Sequence, residues 1–90
     1  MTGPFEPGRG YRLSPDVALR PEPFGALAYH FGTRRLSFLK SPALLTVVSS
    51  LGDAPSAREA CRLAGLTEAE LPAYAAALET LAASQMICRG

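Results

Sequence analysis

Few side chains in this sequence are of the types that carry out chemistry. His30 is its single histidine, and Cys61 and Cys88 are its two cysteines. Nucleophilic catalysis needs a base held against the nucleophile and oriented by a third group. No supporting motif surrounds His30, which stands alone on the Ala28 side of an alternating run, so it reads as a partly exposed structural side chain. Two distant cysteines and one histidine are too few for a Cys/His metal centre, and the cysteines read as buried reduced thiols, not a disulfide. Glu68 and Glu70 fall at a helix start, where the backbone dipole favours negative charge without any acid–base role. No glycine pattern follows a strand and opens a helix, so nothing cradles phosphate. The residues thus point to a protein that is not an enzyme and holds no cofactor. What remains is cationic: Arg34, Arg35 and Lys40 lie on or beside one short apolar stretch. Arg58 and Arg62 read as solvated charges.

Length and composition set the frame. Ninety residues, 48% hydrophobic and 19% charged, make one small globular domain. A formal net charge of +1 gives no strong field for nucleic acid or an anionic membrane. No apolar run is long enough to span a bilayer, and the first residues, MTGPFEPGRG, lack the pattern of a secretory signal. A cytoplasmic protein is expected. Residues 1–10, rich in proline and glycine, are expected to be a flexible arm, followed by a single domain over 11–90.

The cationic stretch sits in the segment around which the chain is organised, Gly25–Leu39. Leu27, Tyr29 and Phe31 alternate with Ala28 and His30; Leu36 and Phe38 alternate with Arg35 and Ser37. This period of two predicts two strands, with Gly32-Thr33 as a tight reversal. The large apolar set, Leu27, Tyr29, Phe31, Leu36 and Phe38, is expected to face a cover of helices. Val17–Arg20 adds a third strand, giving a meander over roughly 17–20, 25–31 and 34–39. Tyr11–Ser14 is extended at most, and Met86–Cys88 is either a small strand or a cover for the core.

From Ser41 the period becomes 3.6. Ser41-Pro42 starts a helix, Leu44, Val47, Val48 and Leu51 form its stripe, and Gly52 is expected to close it in the left-handed region. Ser56 and Glu59 form a capping box for a short second helix, with Ala57, Ala60, Cys61 and Ala64 inward and Gly65 as its stop. Thr67 and Glu70 form another for a third helix over Glu68–Gln85, where Pro72 demands either a later start or a distorted first turn. The fold class is α+β: a three-stranded antiparallel sheet followed by three helices, in a winged helix-turn-helix arrangement.

That arrangement raises DNA binding, as a winged-helix transcriptional regulator, and the sequence argues against it. The helix that would enter the major groove contains Glu68, Glu70 and Glu79 and no Lys or Arg, whereas DNA affinity rests largely on phosphate neutralisation. The basic residues lie instead on the last strand of the meander, an edge in the simplest topology. Cations there guard against aggregation; they also suit the addition of an extended peptide as a further strand. Leu36 and Ser37 are consecutive, so one turns its N–H to the open edge and the other inward. Ser37→Pro is the cleaner probe if its N–H is the outward one.

The run from Tyr11 to Leu51, above all SPDVALRPEPFGALAYHF at Ser14–Phe31 and RRLSFLKSP at Arg34–Pro42, resembles the mycofactocin-system peptide chaperones. These are small relatives of the PqqD-like recognition elements of ribosomally made, modified peptides. The resemblance covers residues 11–88 and implies a non-enzymatic role: binding the leader of a precursor peptide and presenting it to a radical S-adenosylmethionine maturase. It further implies that the leader lies antiparallel along the third strand, between that strand and the third helix. The peptide-binding positions are then Arg34, Arg35, Leu36, Ser37, Phe38, Leu39 and Lys40, with Tyr74 and Leu78 on the helix. The iron–sulfur cluster and S-adenosylmethionine belong to the partner enzyme; neither nucleic acid nor membrane is implied.

Overall fold

A computed structural model describes residues 5–89. The strands are β1 (Tyr11–Leu13), β2 (Val17–Glu22), β3 (Gly25–His30), β4 (Arg35–Leu39) and β5 (Ile87–Arg89), and the helices α1 (Pro42–Ser50), α2 (Ala57–Leu63) and α3 (Leu71–Ala83), with a 3₁₀ turn at Leu51–Asp53. The expected meander is the antiparallel sheet β2-β3-β4, and three helices follow it. A second, two-stranded sheet pairs β1 with β5 in antiparallel register, Tyr11 opposite Arg89. The Met86–Cys88 segment thus enters a strand from Ile87 on, and Met86 and Ile87 are buried in the core.

Local chemistry explains the helix ends. The Ser41 hydroxyl accepts from Leu44 N–H at 3.0 Å and caps α1, with Pro42 in its first turn. Ser56 caps α2 in the same way through Glu59 N–H at 3.1 Å. Gly65 takes φ +89 and ends α2, with Leu66 N–H donating back to Cys61 C=O at 3.1 Å. Thr67 and Glu70 do pair, Glu70 Oε1 accepting from Thr67 N–H at 2.9 Å, but they close a turn ahead of α3. The helix begins at Leu71, so Pro72 falls in the first turn, where no N–H is needed. Gly52 does not take the left-handed role expected of it; it lies in the 3₁₀ turn that continues from α1.

The hairpin departs from expectation in two ways. Gly32-Thr33 is not a two-residue reversal. The loop runs over residues 31–34, closed by Arg34 N–H to His30 C=O at 2.7 Å, and Arg34 itself takes the positive φ, 62°. Inside that loop, His30 Nδ1 accepts from Gly32 N–H at 3.0 Å and Thr33 N–H at 3.1 Å. His30 is not partly exposed as expected: at 6% exposed it is a buried scaffold for the turn.

The second departure concerns the faces. The large apolar set does not face the helices: Phe31, Leu36 and Phe38 are 60–61% exposed, and Leu27 and Tyr29 are half-buried. The inner face is built from Val17, Ala26, Ala28, His30 and Leu39, all buried. The reason is steric. α1 packs on β3 and brings Leu44, Val47 and Val48 into the same core, so the sheet opposite it must be low. Alanine supplies that and the larger residues turn outward.

Of the arm expected over residues 1–10, residues 1–4 lie outside the described residues. Phe5 stacks on Tyr11 with ring centroids 4.8 Å apart, and the carbonyls of Pro7 and Arg9 accept from Arg58 and Ala57 N–H at 2.9 Å. These are two of the free donors at the start of α2.

Candidate functional site

Hydrogen-bond parity identifies the open side of the sheet. Phe31 N–H donates to Asp16 C=O at 2.8 Å, just beyond the β2–β3 ladder. In an antiparallel ladder the bonding alternates residue by residue. The odd positions of β3 therefore bond to β2 and the even positions, Ala26, Ala28 and His30, bond to β4. Their partners are Leu39, Ser37 and Arg35. It follows that Leu36 and Phe38 turn their N–H and C=O groups to the free edge of β4. Ser37 bonds inward.

The two edges differ. On β2 the outward positions are Val17, Leu19 and Pro21, and Pro21 has no N–H to offer, a common way of closing an edge. On β4 both outward positions are complete donors and acceptors.

Beside the open edge runs a groove of about 400 Å³, lined on the strand side by Leu36, Ser37, Phe38 and Lys40 and on the helix side by Leu44, Ala77, Thr80 and Leu81. A smaller hollow of about 130 Å³ involves Lys40, Ser41, Leu44, Ala73, Tyr74 and Ala77. Tyr74 is held there by a 3.1 Å hydrogen bond between its hydroxyl and that of Ser41. This bond ties α3 to the chain just past β4 and sets the width of the groove at that end. The helix wall is low because α3 shows Ala73 and Ala77 there.

The structure thus brings together Leu36, Ser37, Phe38, Lys40 and Tyr74 at the groove. Arg34 and Arg35 are exposed at its loop end. Leu39 is 1% exposed and belongs to the core. Leu78, also 1% exposed, belongs to the core and lines a separate hollow of about 200 Å³ with Cys61, Leu71 and Phe5. Ala77 belongs to the alanine-rich side of the third helix that the sequence offers as a groove wall, and Leu44, Thr80 and Leu81 complete the groove without having been expected there. The i, i+4 step from Ala73 to Ala77 and Leu81 was the signal for Leu81, once the facing side of the helix is known.

Chemically the groove is apolar with cations at its ends. None of Arg34, Arg35 and Lys40 is in an ion pair among the described residues, whereas Arg62 pairs with Glu68 at 3.2 Å and Arg20 with Glu22 at 2.9 Å. Among the described residues no His/Cys/Asp/Glu trio is placed to hold a metal, and no buried side-chain nitrogen or oxygen lacks a partner. Burial pushes the Cys61 thiol above its ordinary pKa, away from the reactive thiolate. The site offers backbone hydrogen bonds along an edge and apolar contact beside it, which is what an extended peptide uses. α3 carries Glu79 as its one charged residue, which does not suit a duplex.

Residues 10–88 match the peptide chaperone MftB family. The chain is 58% identical over 85 residues to the peptide chaperone MftB of Mycobacterium ulcerans (strain Agy99), covering 94% of this chain and 78% of that protein. It is 57% identical over 83 residues to that of Mycobacterium tuberculosis (strain ATCC 25618 / H37Rv), covering 92% and 76%. The Mycolicibacterium smegmatis protein of the same name is 50% identical over 86 residues, covering 96% and 84%. No solved structure matches. The chain belongs to the peptide chaperone MftB family.

Proposed function

We propose that this chain is a non-catalytic peptide chaperone of mycofactocin biosynthesis. It binds the leader of a ribosomally made precursor peptide as a strand added antiparallel to β4, with alternate leader side chains in the groove against α3. It holds the peptide for a radical S-adenosylmethionine maturase, which carries the iron–sulfur cluster itself. The sheet and helices serve as a winged helix-turn-helix module turned to peptide recognition, working in the cytoplasm. Among the described residues no helix is long and apolar enough to cross a membrane. The observation that carries the reading is the open edge at Leu36 and Phe38 lying directly beside the groove. No observation favours a DNA-binding regulator.

Proline at consecutive β4 positions tests the geometry. Ser37→Pro removes an inward N–H and should lower thermal stability sharply. Leu36→Pro removes an outward N–H and should leave circular dichroism native. In calorimetric titration with the leader peptide, Leu36→Pro should bind about tenfold more weakly than Leu36→Ala, which loses the same side-chain contacts but keeps the N–H. A folded Leu36→Pro protein that binds the leader as well as Leu36→Ala would overturn strand addition at this edge.

A further inference from the structure

The groove leaves the outer face of the β2-β3-β4 sheet unexplained. Phe31, Leu36 and Phe38 are 60–61% exposed and Phe24 44%. They form a continuous surface with half-buried Leu27 and Tyr29: Phe24 and Phe38 lie 6.0 Å apart by ring centroid, and Tyr29 and Phe31 meet edge to face at 5.1 Å. Fully burying one aromatic side chain removes roughly 150–250 Å² from water, so these four residues alone expose apolar area on the order of 400 Å². That matches the largest patch on an ordinary monomer, and such patches are often functional.

We infer that this outer face docks a second, different protein: the enzyme that receives the bound peptide, through an apolar surface rimmed by acidic groups. The inference rests on the peptide-chaperone reading above. Three observations select this occupant. First, charge: Arg34 stands in the loop at one end of β4 and Lys40 at the other, neither of them in an ion pair among the described residues. A symmetric contact between two copies sets the same patch against itself, here cation against cation, whereas an acidic rim on another protein complements it. Second, the same count disfavours a membrane. Recognition of anionic lipid takes clusters of roughly 4–8 cations, and the formal net charge of the chain is only +1. Third, continuity: side chains alternate across a strand, so a peptide added to β4 sends every second side chain to the outer face, beside Leu36 and Phe38. A protein covering this face touches chaperone and peptide together. The sheet patch is about half the roughly 800 Å² per partner of a stable interface, and the added strand extends it.

Two variants test this away from the groove: Phe31→Ser removes apolar area, and Ala18→Glu sets a charge opposite Tyr29 on β2. Neither residue lines the groove. The leader peptide is titrated by calorimetry, and the maturase encoded beside the precursor gene is immobilised for interferometry with leader-loaded chaperone. Both variants should keep leader affinity within twofold and bind the enzyme at least tenfold more weakly. Unchanged enzyme binding overturns the docking face while leaving the peptide groove intact. Leader binding lost in both variants shows that the face belongs to the peptide site and overturns it too. A parent protein that sediments as a dimer, with the dimer broken by Phe31→Ser, assigns the face to a second copy. Parent protein that co-sediments with phosphatidylserine vesicles, released by the same variant, assigns it to lipid; either result overturns the inference. If the parent binds no leader at all, it is the chaperone reading that fails.

Discussion

The two faces of the β2-β3-β4 sheet reverse the rule that large apolar residues point inward. The inner face carries Ala26, Ala28 and His30 on its central strand, all buried. The outer face carries Leu27, Tyr29, Leu36 and Phe38, which are half-buried or exposed. What decides between them is the room left by α1, whose Leu44, Val47 and Val48 fill the core above the sheet. Burial follows the space available as much as the hydrophobicity of the residue. The surplus apolar area on the outside then calls for a separate explanation, and a functional one suits it.

The contrast can be broken most severely where the inner side is tightest. Gly25, φ +149, opens β3 where a Cβ would fall 2.0 Å from Leu39 C=O and 2.8 Å from Ser41 N, both backbone atoms. Gly25→Ala should cost roughly 3 kcal/mol or more, seen as a collapse of the denaturant midpoint. Next comes Ala28→Leu, which pushes a larger side chain into the face against α1. Overpacking of this kind costs about 1–3 kcal/mol, and each kcal/mol lowers Tm by roughly 4–8 °C in a domain this small. On the outer face, Phe31→Ser should move stability by no more than about 0.5 kcal/mol. If Phe31→Ser destabilised the protein as much as Ala28→Leu, the outer face would be part of the core. The smallest effect on the fold is expected from Arg34→Glu with Arg35→Glu. Exposed charges contribute little to stability, so the melting curve should not shift, while leader association should slow about tenfold at low salt and the difference from the parent should shrink as salt is added, because rim charges act on encounter and salt screens them.

How much of this was legible in the sequence depended on whether a signal was local. The period-two runs in Val17–Leu39, the caps at Ser41 and Ser56 and the stop at Gly65 were all readable, because neighbouring residues alone determine them. The edge position of β4 followed from the simplest meander. The buried face did not, because alternation separates two faces without saying which one a helix will cover. Nor did the direction of the Leu36 and Ser37 N–H groups, which depends on the register with Ala28 and Tyr29 across the hairpin. On α3, Tyr74 and Leu78 are one turn apart and share a face, yet Tyr74 meets the groove and Leu78 the adjoining hollow. The helix is thin enough that adjacent turns serve two sites.

The ladder between Tyr11–Leu13 and Ile87–Arg89 has a consequence in time. The β3–β4 hairpin joins near neighbours and can form within microseconds of its synthesis. The β1–β5 ladder joins the strands furthest apart in the chain, and contacts of that range are the slow ones. Met86 and Ile87 therefore reach their buried places last, after the open edge and apolar outer face of the hairpin already exist. On the ribosome, the β3–β4 hairpin can pair before the core of the domain is sealed.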